Sequence, residues 1–157
     1  MTDQQAVAVA LRYVDYFRTG DEAILSEAFS ADHVDHVSGQ RGVEIMRIVR
    51  GWIEQSFADL EYVVHGVTTN DDMVMLWFSS RGRHVGGGGF PQFAGREATN
   101  RTIVAEAVHI FRVVEGRLAE HWAVRDDLGV LRQLDAPEPM SGLPAQERPV
   151  FSAPVSD

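Results

Sequence analysis

The sequence predicts an α+β fold: a strongly curved antiparallel sheet closed by N-terminal helices into a cone-shaped barrel around a cavity. Two observations predict it. Apolar residues recur at helical spacing through the first third of the chain, and at a period of two after Asp59. The C-terminal stretch "VAEAVHIFRVVEGRLAEHWAVRDDLGVLRQL", Val104 to Leu134, then reads as strand, tight turn, strand and short helix. Internal cavities of this kind suit small apolar ligands.

Val7, Leu11, Val14 and Phe17 form one face of a first helix, about Asp3–Thr19, which Gly20 ends. Glu22–Phe29 is a shorter second helix. "DHVDHV", Asp32 to Val37, alternates as a small strand would. A third helix carries Val43, Met46, Val49, Trp52, Ile53 and Phe57 on one side. "LEYVVHGVTT" and "MVMLWFSSRGRHV" are strands flanking a turn at Asn70–Asp72, and "GGGGFPQFAGR" is a loop. Glu97–Val114 and Arg117–Arg125 are two further strands, and Asp126 or Asp127 can cap a last helix. Five of the six prolines follow Ala136, so 136–157 reads as an extended or disordered tail and 1–135 as the folded domain.

With 157 residues there is chain enough for one domain. A net charge of −9 argues against nucleic acid and anionic membranes as partners. No apolar run approaches the roughly 18 residues of a membrane span. The polar start "MTDQQ" argues against a secretory signal. Cysteine is absent, which excludes disulfides, thiolate metal sites and a cysteine nucleophile. These features fit a cytoplasmic protein. All 14 basic residues are arginine, so Schiff-base chemistry on lysine is impossible.

The turn "VVEGR" decides what faces the cavity. A two-residue Glu115-Gly116 loop sets His109 opposite Trp122, and a three-residue loop with a bulge sets His109 opposite His121. Glutamate resists the positive φ that the shorter loop requires, which favours the bulge. Ala105, Ala107, His109, Phe111, Ala119, His121 and Ala123 then share one face, while Val108, Ile110, Leu118 and Trp122 share the other. A sheltered pair of imidazoles can move protons near neutral pH. His33 and His36 point oppositely on a strand, which disfavours a metal site there. Gly86–Gly89 with Phe90, Pro91 and Phe93 reads as a flexible connection or as a lid over the cavity mouth. His84 ends a strand beside that loop, within reach of the cavity, and Trp52 is either core or cavity wall.

Three segments resemble the SnoaL-like polyketide cyclases of the nuclear transport factor superfamily. "VDYFRTGD" is similar to the end of that family's first helix. "GRHVG", a loop and "GR" resemble its mid-sheet segment, and "VHIFRVVEGRLAEHW…DLGVLRQL" resembles its terminal hairpin and helix. The likeness runs from about Gln5 to Leu134. It implies a homodimer through the outer sheet face, no metal or organic cofactor, and cyclisation of a polyketide ester by intramolecular aldol condensation. By the same resemblance Tyr16 is the pocket tyrosine and His109 the pocket histidine. Ala123 stands at the position of the cyclase aspartate, and Val49 at that of a pocket asparagine. His36 resembles in position the aspartate base of the distantly related ketosteroid isomerases. The expected acid–base set is therefore Tyr16, His36, His109 and His121, with Val49, Trp52, His84, Phe111 and Ala123 against a small apolar ligand. Two functions stay open: a cofactor-free cyclase, isomerase or lyase, and a binding protein without catalysis.

Overall fold

The structure, a computed structural model, describes residues 2–136. The proline-rich stretch 137–157 lies outside the described residues. The first helix, α1 (Asp3–Thr19), begins in a capping box: the Thr2 hydroxyl accepts from the Gln5 N–H, and the Gln5 side chain accepts from the Thr2 N–H. It ends at Gly20, whose left-handed φ of 71° lets its N–H reach the Tyr16 carbonyl at 2.8 Å. Helix α2 (Glu22–Ala28) is capped by Asp21, and α3 (Glu44–Ser56) follows a small β1–β2 unit, Phe29–Asp35 and Gln40–Arg41. Strands β3 (Phe57–Asn70), β4 (Met73–His84), β5 (Thr102–Val114) and β6 (Arg117–Arg125) come next. Helix α4 (Asp127–Asp135) closes the described chain, with the Asp126 carboxylate accepting from the Gly129 N–H.

The fold is α+β, but the expected antiparallel barrel does not form. The six strands make one open mixed sheet in the order β2-β1-β6-β5-β4-β3. Strand β1 lies parallel to β6, with Asp35 beside His121. Only a hairpin obliges two strands to run antiparallel, and β1 reaches β6 across most of the chain. The two edges, β2 and β3, do not pair with each other, so the sheet is neither closed nor strongly curved. Closure is replaced by a helical layer: α1 packs on β3, β4 and β6. The core lies between helix and sheet, where Val14, Leu25, Phe29, Leu76, Phe111 and Leu118 are buried. Burial of such side chains is the main source of stability in a layer of this kind.

The β5–β6 hairpin corrects the expected register. Glu115 adopts φ 51° and Gly116 φ 75°, a two-residue loop between Val114 and Arg117. The strain at Glu115 is accepted because the turn's twist matches the long strands that it joins. One extra residue then enters β6 between Leu118 and Glu120. His109 is thus opposite Ala123, and Phe111 is opposite His121. The register sum moves by two from the expected one, so parity is kept and His109, Phe111, His121 and Ala123 still share the helix-facing side. Leu118 changes sides: it is fully buried beside Val113, in the core.

Candidate active site

Beneath α1 the sheet carries a cavity of about 160 Å3. Its walls are apolar for the most part, with Val14, Phe17, Met46, Val49, Ile53 and Phe78 among them. The polar groups are concentrated. Tyr13 comes from α1, Asp35 from β1, Tyr62 from β3, and His109 and His121 from β5 and β6. A polar rim of Gln92, Glu106, Arg125, Asp126 and Asp127 lies near the start of α4.

Three of these side chains form one hydrogen-bonded line. The Asp35 Oδ1 stands 2.7 Å from the His121 Nδ1. His121 Nε2 stands 2.8 Å from His109 Nδ1, with the two rings stacked at 4.9 Å. The other Asp35 oxygen accepts from both the Ser38 N–H and the Ser38 hydroxyl. Burial alone would raise the Asp35 pKa. The hydrogen bonds from His121 and Ser38, with the charge of His121, outweigh it and hold the carboxyl down at about 2. Asp35 is therefore an anion that can only accept, so His121 carries its proton on Nδ1. In the uncharged state His109 donates from Nδ1 to His121 Nε2, leaving the lone pair of His109 on Nε2.

His109 itself is held neutral. Burial pushes its pKa well below the usual imidazole value, aided by the positive charges of His121 and Arg125 and opposed by Asp35. The Tyr13 ring lies 4.9 Å from His109 and 5.6 Å from His121. Burial, then the Asp35 carboxylate, raise the Tyr13 pKa, so its phenol keeps its proton.

The predicted residues divide. His109, His121, Val49 and Ala123 line the cavity. Tyr16 is buried elsewhere, against Phe17 and near Glu22 and Arg50, and Tyr13 occupies the cavity in its place. His36 faces the opposite side of the sheet, where it stacks on Trp122 at 4.4 Å and meets Glu120 at 2.7 Å. Its neighbour Asp35 is the inward residue. Phe111 lies behind the histidines, 5.0 Å from His121, without reaching the cavity. His84 is a buried clamp: its Nδ1 accepts from the Thr99 N–H at 3.2 Å and tethers β4 to the 99–101 segment. Trp52 packs outside the cavity against Phe90, ring to edge at 5.6 Å. A Cβ on Gly89 would collide with the Trp52 indole, and one on Gly88 with Ser56, which is why this loop is glycine. Phe90, Gln92 and Phe93 then reach the cavity.

Asp35 and Tyr13 are the site residues that sequence reasoning missed. The alternation of "DHVDHV" puts His33 and Asp35 on one face, but only the parallel β1–β6 pairing shows that this face meets His121. Tyr13 is one position from Val14 on the apolar face, whereas Tyr16 is turned toward α2 and α3. His33 is buried, its Nδ1 donating to the Leu118 carbonyl at 2.9 Å. Among the described residues no group of three or more His, Asp or Glu side chains is arranged to hold a metal ion.

Comparison with known proteins places the chain in a family. The aklanonic acid methyl ester cyclase DauD of Streptomyces sp. (strain C5) is 30% identical over 82% of this chain and 80% of its own length. The nogalonic acid methyl ester cyclase of Streptomyces nogalater is 28% identical over 80% of this chain and 94% of its own. The solved structure of TsrD from Streptomyces laurentii superposes with a TM-score of 0.75 at 22% identity, covering 87% of this chain and 99% of that one. The SnoaL-like polyketide cyclase model matches residues 7–134. The chain belongs to the SnoaL-like polyketide cyclase family, within the nuclear transport factor superfamily.

Proposed function

We propose that this protein is a cofactor-independent acid–base enzyme, a cyclase, isomerase or lyase, acting on a small, largely apolar carbonyl compound of the polyketide type. The observation that carries the reading is the Asp35–His121–His109 line, which ends in the cavity beside Ala123. Alanine cannot accept a proton. His109 Nε2 can, and it is backed by a carboxylate two imidazoles away.

The proton balance is simple. His109 Nε2 takes a proton from the carbon next to a substrate carbonyl. His109 passes its Nδ1 proton to His121 Nε2, and the resulting imidazolium is paired with the Asp35 carboxylate. The Tyr13 phenol donates a hydrogen bond to the enolate oxygen. In a cyclisation the enolate carbon attacks a second carbonyl of the same molecule, and the proton returns through His109 to the new alkoxide. The apolar wall strengthens each of these electrostatic contacts by excluding water. The two curated relatives, both methyl ester cyclases, support a polyketide methyl ester as the substrate class.

The test is turnover of aklanonic acid methyl ester. The wild-type protein should convert it, and His109→Ala should lower the rate about 10²–10⁴-fold with the same thermal midpoint. An unchanged rate in His109→Ala sinks the reading.

A second reading is a binding protein on the same scaffold. Val49 and Ala123 both line the cavity and make it more apolar. It requires that a bound polyketide ester be recovered chemically unaltered. For the assembly we propose a homodimer through the outer sheet face. Val63, Met75, Trp77, Val104 and Val124 are exposed there, a large apolar surface for a free sheet. No described helix is long and apolar enough to cross a membrane.

A further inference from the structure

Tyr62 is a cavity residue to which the mechanism above gives no task. Its hydroxyl is buried and has no hydrogen-bond partner among the described residues. Burial pushes its pKa up to about 12, so it stays a donor at any physiological pH. An unpaired buried hydroxyl is destabilising, and such groups in native proteins call for an explanation. The residue that carries this unpaired group lines the cavity of the Asp35–His121–His109 line. Its ring packs 6.3 Å from Phe78, and the Tyr13 ring packs 6.4 Å from the same Phe78. Phe78 in turn lies 4.9 Å from His109. Two phenols and the base therefore surround one aromatic floor. The phenols are also close enough for a charge on Tyr62 to disfavour ionisation of Tyr13.

We propose that Tyr62 donates a second hydrogen bond to the substrate, which therefore presents two oxygens, one to Tyr13 and one to Tyr62, as a planar enolisable 1,3-dicarbonyl does. The inference rests on the acid–base reading of the cavity and adds to it the substrate's oxygen pattern. One oxygen at Tyr13 takes up the enolate charge. The second, conjugated with it through the acidic carbon, shares that charge with Tyr62. A carbon flanked by two carbonyls is acidic enough for a neutral imidazole to deprotonate.

The experiment compares three aromatic probes on full-length protein: naphthalene, 2-naphthol and 1,3-dihydroxynaphthalene, the last a mimic of an enolised 1,3-dicarbonyl. Affinity, read by fluorescence, should rise about tenfold with each added oxygen. Tyr62→Phe should abolish the step from 2-naphthol to 1,3-dihydroxynaphthalene, leave naphthalene unchanged, and keep or raise the thermal midpoint. Persistence of that step in Tyr62→Phe overturns the proposal, as does a wild-type protein that shows no steps. A fall in naphthalene affinity or in the midpoint overturns it too, because either makes the hydroxyl part of the packing. Failure of the acid–base reading is seen separately, as an unchanged rate of polyketide ester turnover in His109→Ala.

Discussion

His121 Nδ1 stands 2.7 Å from Asp35 Oδ1, although the two residues are 86 positions apart in the chain. The contact joins the parallel strands β1 and β6 and orients everything between Asp35 and the cavity. It fixes the tautomer of His121, and through it the nitrogen that His109 offers to a ligand.

Asp35→Asn should test that orientation. The amide keeps the shape but loses the charge that stabilises a protonated His121. Turnover of a polyketide ester should fall at least tenfold, with the loss greatest at the chemical step rather than in KM. The same variant has an acid signature. With a folded pKa of about 2 against an ordinary value of 3.8, the ionised Asp35 contributes stability that is complete above pH 4. That contribution, on the order of 2 kcal/mol, is lost as pH falls from 4 through 2. Urea unfolding at pH 5, 4 and 3 should show a shallower acid loss in Asp35→Asn than in the wild type.

The buried imidazoles predict a second pH effect. His33, His84 and His109 all have lowered pKa values, with burial as the first cause. Below pH 6.5 the unfolded chain binds protons that the folded protein refuses. Stability is therefore full above 6.5 and declines as pH falls toward the folded values. Denaturation midpoints at pH 7.5 and 5.5 should differ in that direction. His109→Gln should reduce the difference.

Tyr13→Phe and Tyr16→Phe separate the two tyrosines of α1. Tyr13 borders the cavity and Tyr16 does not. Loss of the Tyr13 phenol should lower kcat about 10–10³-fold. Tyr16→Phe should leave kcat within about twofold. Equal effects from the two would remove Tyr13 from the mechanism.

Gly89→Ala probes the loop. The new methyl must displace the Trp52 indole, at a cost of about 1–3 kcal/mol. The loop carries Phe90 and Phe93 to the cavity, so ligand release, measured by stopped flow, should quicken several-fold.

Ala123→Asp places a carboxylate opposite His109 in the β5–β6 ladder, on the cavity wall. It should raise the His109 pKa and increase cyclisation of aklanonic acid methyl ester above the wild-type rate. A drop in rate would mean that a carboxylate at position 123 does not assist His109 as the base.

Much of the architecture was legible in local pattern. Helix α1 spans Asp3–Thr19 as its spacing and its Gly20 stop predict, and β6 spans Arg117–Arg125. The hairpin shows the limit of such reasoning. Glu115 takes the positive φ that glutamate resists, and a bulge in β6 restores the parity. Both histidines reach the expected face by a different route. His36 shows the converse failure: "DHVDHV" reads as a strand, but β1 ends at Asp35, and its pairing with β6 sets Asp35, and not His36, against His121.

The sequence by itself determined the helices, the existence of the longer strands and the helix-facing side of His109 and His121. These rest on residue type, on periods of 3.6 and 2, and on short turns, all local properties. Only the tertiary structure decided that the sheet is mixed and open, that Tyr13 replaces Tyr16 at the cavity, and that Asp35 completes the line. Those outcomes depend on the pairing of β1 with β6 and on the rotation of α1 against the sheet. Both are set by packing between segments far apart in the chain, which local spacing does not record.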